Sequence, residues 1–195
     1  MKRIAPILVA ALAAFPIGAN AFPIAAPGTE GLSVMVGSTA HVVATYQGNS
    51  ASYSNDLYLM LDAFGNPGDD GILGNDLFIF NNHATPVGTT ADLGSFAAGT
   101  ELLFRLHVNN TGNDFFTGPA SRNPDGHTHA RVQGNWQPGE TLVSFEDLYN
   151  GPYDYNDLSF SFTNTVSSVP EPGALALLAL GLVGMGVARR SGAAR

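Results

Sequence analysis

The sequence predicts an all-β protein with a single antiparallel β-sandwich or jelly-roll-like domain, and three observations carry that expectation. Leu102, Phe104, Leu106 and Val108 alternate with Leu103, Arg105 and His107, while Leu158, Phe160 and Phe162 alternate with Ser159, Ser161 and Thr163. A two-residue period places successive side chains on opposite faces of a strand, with the apolar face toward a core. Turn signals recur between such runs at Gly48-Asn49, Asn66-Pro67-Gly68, Gly74-Asn75, Pro124-Asp125-Gly126 and Pro138-Gly139, each supplying the backbone freedom a reversal needs. Between residues 22 and 165 no stretch repeats apolar residues at helical spacing over three turns, as alternating strands and helices would require.

In chain order, Phe22 to Gly31 reads as a flexible lead-in and Leu32–Val36 as the first strand, so that 22–39 precede the main body at 40–165. Strands are then expected at His41–Tyr46, Asp56–Leu61, Leu77–Phe80, Leu102–Val108, His129–Val132, Thr141–Phe145 and Leu158–Thr163. Asn164 to Val169 reads as a short polar linker, and no internal repeat is visible. One domain of this size is long enough to enclose a sizeable core.

The two ends differ from the middle. Lys2 and Arg3 are followed by an apolar run from Ile4 to Ile17 and then Ala19-Asn20-Ala21. A basic start, a short apolar stretch and a small-x-small site make a signal peptide over 1–21, cleaved after Ala21 by signal peptidase; a buried helix is the competing reading. At the other end stand Val169-Pro170-Glu171-Pro172-Gly173, an apolar run at 174–188, and Arg189-Arg190 leading a basic tail at 189–195. An uncharged run of this kind has no polar face for water, and strongly hydrated arginines behind it stay on the cytoplasmic side. The order of motif, apolar helix and basic cluster over 166–195 resembles the PEP-CTERM sorting signal of Gram-negative bacteria, with Pro170, Glu171 and Pro172 as its signature. That resemblance implies recognition by the membrane protease exosortase and delivery to the cell surface or extracellular polymer matrix. As a helix, 174–188 would span about 22 Å against about 30 Å of hydrocarbon. A transmembrane helix at 173–188 this short fits a transient handle better than a permanent anchor.

Charge is distributed unevenly. The chain carries a formal net charge of −8, and of its 16 acidic residues only Glu171 lies outside 22–169. Arg105, Arg122 and Arg131 are the only basic residues inside that stretch. Nucleic acid is therefore excluded as a partner, because phosphate binding requires many Lys and Arg. Strong acidity suits a divalent cation, or simply keeps a surface protein soluble. With no cysteine, disulfides, thiolate catalysis and zinc–thiolate sites are also excluded.

The densest chemistry lies in Phe145-Glu146-Asp147-Leu148 followed by Asp154-Tyr155-Asn156-Asp157. Carboxylates gathered without a counter-charge repel, and hard oxygen ligands at irregular loop spacing suit Ca2+, with Glu146, Asp147, Asp154, Asn156 and Asp157 as ligands. A solvated acidic hairpin loop is the alternative. The segment resembles the C-terminal signature of the DUF4114 family, a Phe-Glu-Asp-Leu, acidic loop, Asp-Tyr-Asn-Asp pattern, although Asn150-Gly151-Pro152 is sparer than the family's loop. Weaker likeness continues through 99–104, 121–126 and 129–132, and could extend over most of 40–165. It implies a β fold and a cation site, not a reaction.

A second, weaker acidic cluster is Asp69, Asp70 and Asp76 with Asp62 and Asn75, which echoes an EF-hand loop but lacks its first acid and final glutamate. His127 and His129, two residues apart, could share a face toward a transition metal, yet no third ligand is evident. Trp136, beside Asn135 and Gln137, is a candidate sugar-stacking residue or a packing residue. The sequence thus reads as an exported, non-enzymatic structural or adhesive protein of the exopolysaccharide layer. The alternatives are a Ca2+-dependent carbohydrate-binding or ice-binding-like module and, third, a hydrolase using an acidic pair such as Glu146 and Asp157.

Overall fold

The computed structural model describes residues 21–168. Ala19, the rest of the expected signal peptide before Ala21, the helix expected over 173–188, and Pro170, Glu171, Pro172, Arg189 and Arg190 lie outside the described residues. Among the described residues no helix is long and apolar enough to cross a membrane.

Among the described residues, all regular structure is antiparallel β apart from two short 3-10 turns. The strands are β1 (Val34–Val36), β2 (His41–Asn49), β3 (Asn55–Leu59), β4 (Leu77–Asn81), β5 (Thr90–Ser95), β6 (Glu101–Leu102), β7 (Phe104–Val108), β8 (Asn113–Phe116), β9 (Ala130–Gln137), β10 (Glu140–Phe145), β11 (Leu158–Thr163) and β12 (Thr165–Ser167). They form three sheets where a simple sandwich has two: a five-stranded sheet in the order β5-β2-β11-β10-β9, a four-stranded sheet in the order β4-β3-β7-β8, and a small sheet β12-β1-β6.

The two larger sheets meet through one apolar core. Phe104 of β7 stacks on Phe162 of β11 with ring centroids 4.2 Å apart, and Phe80 of β4 lies parallel to Phe160 of β11 at 6.1 Å. Tyr46, Leu57, Leu106, Phe145 and Leu158 fill the same cluster. Burying each large side chain contributes about 1.5–3 kcal/mol, which is why the alternating segments dominate the fold.

Three strands fall outside the expected set: β5, β8 and β12. Each is an edge strand without sustained apolar alternation, so its pairing is fixed by neighbours and not by its own pattern. The span expected as a linker after Asn164 contains β12, which pairs Thr165–Ser167 with Val34–Val36. The single strand expected over 102–108 is divided at Leu103. Leu102 pairs with β1, whereas Phe104 onward pairs with β3, so the chain changes sheets there.

The lead-in is packed, not flexible. Ala25 is buried and donates its N–H to Ser144 Oγ at 2.8 Å, Ala26 donates to Gln133 Oε1 at 2.8 Å, and Arg131 donates to Glu30 at 2.7 Å. A Cβ on Gly48 would stand 2.7 Å from Phe22, so glycine there lets the segment lie against β2. This strap explains why Ser144 and Ser159, on what the alternation marks as a solvent face, are fully buried and bonded to each other at 2.7 Å.

Phe145 ends β10 opposite Leu158, the first residue of β11. The intervening residues 146–157 therefore form a loop at one end of the five-stranded sheet.

Candidate metal centre

The loop is tied down at its roots and then folded back on itself. Glu146 donates its N–H to the His129 carbonyl at 2.9 Å, and Asp157 donates to the Phe145 carbonyl at 3.2 Å. Asn150 and Tyr155 sit in the left-handed region at φ 62° and 57°, a conformation that non-glycine residues seldom adopt without outside support. For Tyr155 that support is visible: its hydroxyl donates to the Thr128 carbonyl at 3.0 Å, and the Arg131 guanidinium lies 4.3 Å over its ring.

This path brings Glu146, Asp154 and Asp157 together, one carboxylate oxygen from each lying within 4.8 Å of the others. Backbone amides orient them: Leu148 and Asp154 donate to the two oxygens of Glu146 at 3.2 and 3.1 Å, and Asp147 donates to Asp157 Oδ2 at 2.8 Å. Asp147 is buried beside them, its Oδ2 accepting from Asn55 Nδ2 at 2.7 Å. Asn156 braces the rim, donating to Asp154 Oδ2 at 2.6 Å while its carbonyl accepts from the Ser50 hydroxyl at 2.8 Å. None of the four carboxylates pairs with a cationic side chain among the described residues.

The electrostatic consequence is large. Burial, reinforced by the Asp157 charge, pushes the Glu146 carboxyl up to about 8. Burial raises Asp147 to about 6 against the stabilising bond from Asn55, and burial also raises Asp157. Three adjacent acids that resist ionisation together form a site that a hard cation would relieve. One carboxylate oxygen of Glu146 lies within 4.8 Å of one of Asp157, closer than the roughly 5–5.5 Å of a retaining glycosidase pair.

The other residues singled out in the sequence are placed differently. Asp76 accepts from the Arg105 guanidinium at 3.0 Å in a buried ion pair. Asp69 and Asp70 accept from the N–H groups of Gly71 and Ile72 at 2.9 and 2.8 Å, as turn-forming aspartates do. These three do not converge as a ligand group among the described residues. Trp136 lies within β9, not in a loop, and is half-buried.

His129 is fully buried, stacked on Phe115 at 3.7 Å, with Nδ1 at 3.0 Å from the Glu146 carbonyl and Nε2 at 2.9 Å from Asp125 Oδ2. Both ring nitrogens are engaged, so the residue fixes the loop and does not pair with His127 on a metal. Asp125 is the residue that sequence reasoning missed. Its carboxylate also accepts from Asn150 N–H, Tyr153 hydroxyl and His127 N–H, each at 3.0 Å. Burial alone would raise its pKa, but the amides of Asn150 and His127 with the His129 ring hold the carboxyl well below the usual carboxylate range. Replacing Asp125 with alanine is expected to lower stability by about 2–3 kcal/mol, because several bonds to a charged group are lost together. Urea denaturation checks this, and a change below about 0.5 kcal/mol would show that Asp125 does not clamp the loop.

Beyond Ser168 the chain is assigned by comparison. Residues 168–190 match the PEP-CTERM protein-sorting motif. The match covers Pro170, Glu171, Pro172, Arg189 and Arg190, and a motif of this class marks an exported, exosortase-sorted protein that is transiently held in the membrane. No curated protein and no solved structure matches the chain.

Proposed function

We propose that this exosortase-sorted protein is a non-enzymatic structural or adhesive component of the surface or extracellular polymer layer of a Gram-negative bacterium, its β domain held by one Ca2+. The observation that carries the cation is the convergence of Glu146, Asp154 and Asp157, with Asp147 behind them, in a loop that has no cationic partner among the described residues. Asn156 belongs to the same set as a brace or ligand. The DUF4114-like order of residues 145–157 fits such a site. Ca2+ there would rigidify the loop between β10 and β11 and give the domain stability outside the cell without disulfides.

Isothermal titration of the full-length chain in mild detergent is expected to show one saturable Ca2+ event that Asp157→Asn abolishes. Equal heats for the two proteins would remove the site. For the sorting tail, alanine in place of Pro170, Glu171 and Pro172 is expected to leave the tail uncut and the protein in the membrane fraction. Unchanged surface delivery would overturn exosortase dependence.

A second reading is Ca2+-dependent carbohydrate binding. Tyr149, 47% exposed in the same loop, favours it by offering an aromatic ring to the solvent. Chelator-sensitive binding to a glycan array would promote this reading over a purely structural role.

A further inference from the structure

Asn55 opens β3, in the four-stranded sheet, and is completely buried. Its backbone is locked to Asn82, with its N–H donating to Asn82 Oδ1 at 2.8 Å and its carbonyl accepting from Asn82 N–H at 3.0 Å. The side-chain amide nitrogen donates to Asp147 Oδ2 at 2.7 Å and, at 3.4 Å, to the Tyr53 carbonyl. Among the described residues the side-chain oxygen has no partner. Orphaned buried acceptors are rare because they forgo hydration without recovering a bond.

The position of that oxygen narrows what could satisfy it. Oxygen and nitrogen of one carboxamide lie about 2.2 Å apart from their bond lengths, so with the nitrogen 2.7 Å from Asp147 Oδ2 the orphan stands within about 5 Å of that carboxylate. Asp147 in turn donates its backbone N–H to Asp157 Oδ2 at 2.8 Å, and Asp157 converges with Glu146 and Asp154, so the acidic side chains of the loop are all reached through Asp147. What suits an orphan acceptor among carboxylates is positively charged and able to take neutral amide oxygens together with charged ones, which describes Ca2+.

We propose that Asn55 Oδ1 is an inner ligand of the Ca2+ bound by Glu146, Asp154 and Asp157, an assignment that rests on the cation reading given above. The ion then joins β3 of one sheet to the β10–β11 loop of the other, through a ligand 92 residues away from Asp147 in the chain. The neutral ligand at the floor also lets the site hold one divalent ion without adding a further repelling charge.

The test uses the full-length chain in mild detergent, with Ca2+ for affinity and Eu3+ luminescence lifetimes in light and heavy water to count coordinated waters. Asn55→Leu keeps the volume and removes the oxygen. It is expected to weaken Ca2+ binding by about tenfold or more and to add one water to bound Eu3+. Should that variant not fold, Asn55→Asp, which keeps an oxygen in place, is expected to melt lower than the native chain in chelator yet bind Ca2+ at least as tightly. Native Ca2+ affinity and water count in Asn55→Leu, or weakened binding in Asn55→Asp, would overturn the role of Asn55 while leaving the site intact. No binding by the native chain would remove the site itself.

Discussion

Replacing Arg105 with alanine is expected to lower the stability of the domain by about 3–5 kcal/mol, the range for breaking a buried ion pair from one side. Its guanidinium reaches Asp76 at 3.0 Å and Asp114 at 2.7 Å and lies 4.3 Å over the Tyr58 ring. The side chains of Arg105 and Asp76 are only 5% and 1% exposed, so water cannot replace the lost partner. The variant keeps the Asp76 charge buried and loses the cation–π contact as well. A thermal midpoint lower by roughly 10 °C follows for a domain of this size. Arg105→Met combined with Asp76→Asn removes both charges and is expected to recover much of the loss. A single-variant loss below about 1 kcal/mol would show that the pair contributes no more than exposed ones do.

Calcium is expected to raise the melting temperature, and to raise it more at pH 8 than at pH 5. An ion at a hundred times its dissociation constant adds about 2.7 kcal/mol, or roughly 5–10 °C here. The pH dependence follows from the raised carboxyls. An acid whose folded pKa is lifted contributes its stability below the unfolded value near 4, and loses it as pH rises through the folded value. For Asp147 and Glu146 those folded values are about 6 and about 8. Without the ion, the domain is therefore expected to melt several degrees lower at pH 8 than at pH 5. With the ion, the acids are ionised and paired, so binding releases protons and strengthens with pH. Scanning calorimetry in Ca2+ and in chelator at both pH values measures all four midpoints. A shift independent of pH would place the ion elsewhere, and no shift at millimolar Ca2+ would remove it.

Much of the fold is legible in the alternation of apolar residues, because Phe104, Leu106, Phe160 and Phe162 stabilise the strands that hold them. The edge strands are not legible, since Thr90–Ser95 and Asn113–Phe116 owe their conformation to neighbouring strands. The carboxylate loop is legible because its members lie within twelve residues, and the fold brings the outer three together. Asn55 and Asp125 are not, because each meets the loop only after the sheets have formed. Asp76 misleads for the same reason: its partner Arg105 lies 29 positions on, so a local reading sees an unpaired acid. The lead-in carries no periodic signal, and its docking depends on backbone N–H groups finding Ser144 and Gln133.

The small sheet has a consequence for the order of events during export. Its central strand, β1, pairs with β6 and β12, and β2 pairs with β11, so segments near the start of the domain find partners near its end. A chain that leaves the export channel from its N-terminus must carry those early strands with one edge open until the last ones emerge. Closure of β12 comes at Ser168, whose N–H donates to the Ser33 carbonyl at 2.8 Å, and the sorting match starts at that same residue. Completion of the fold and presentation of the sorting segment are thus consecutive in the chain, and a domain still missing its last strand would reach the membrane with β1 open along one side.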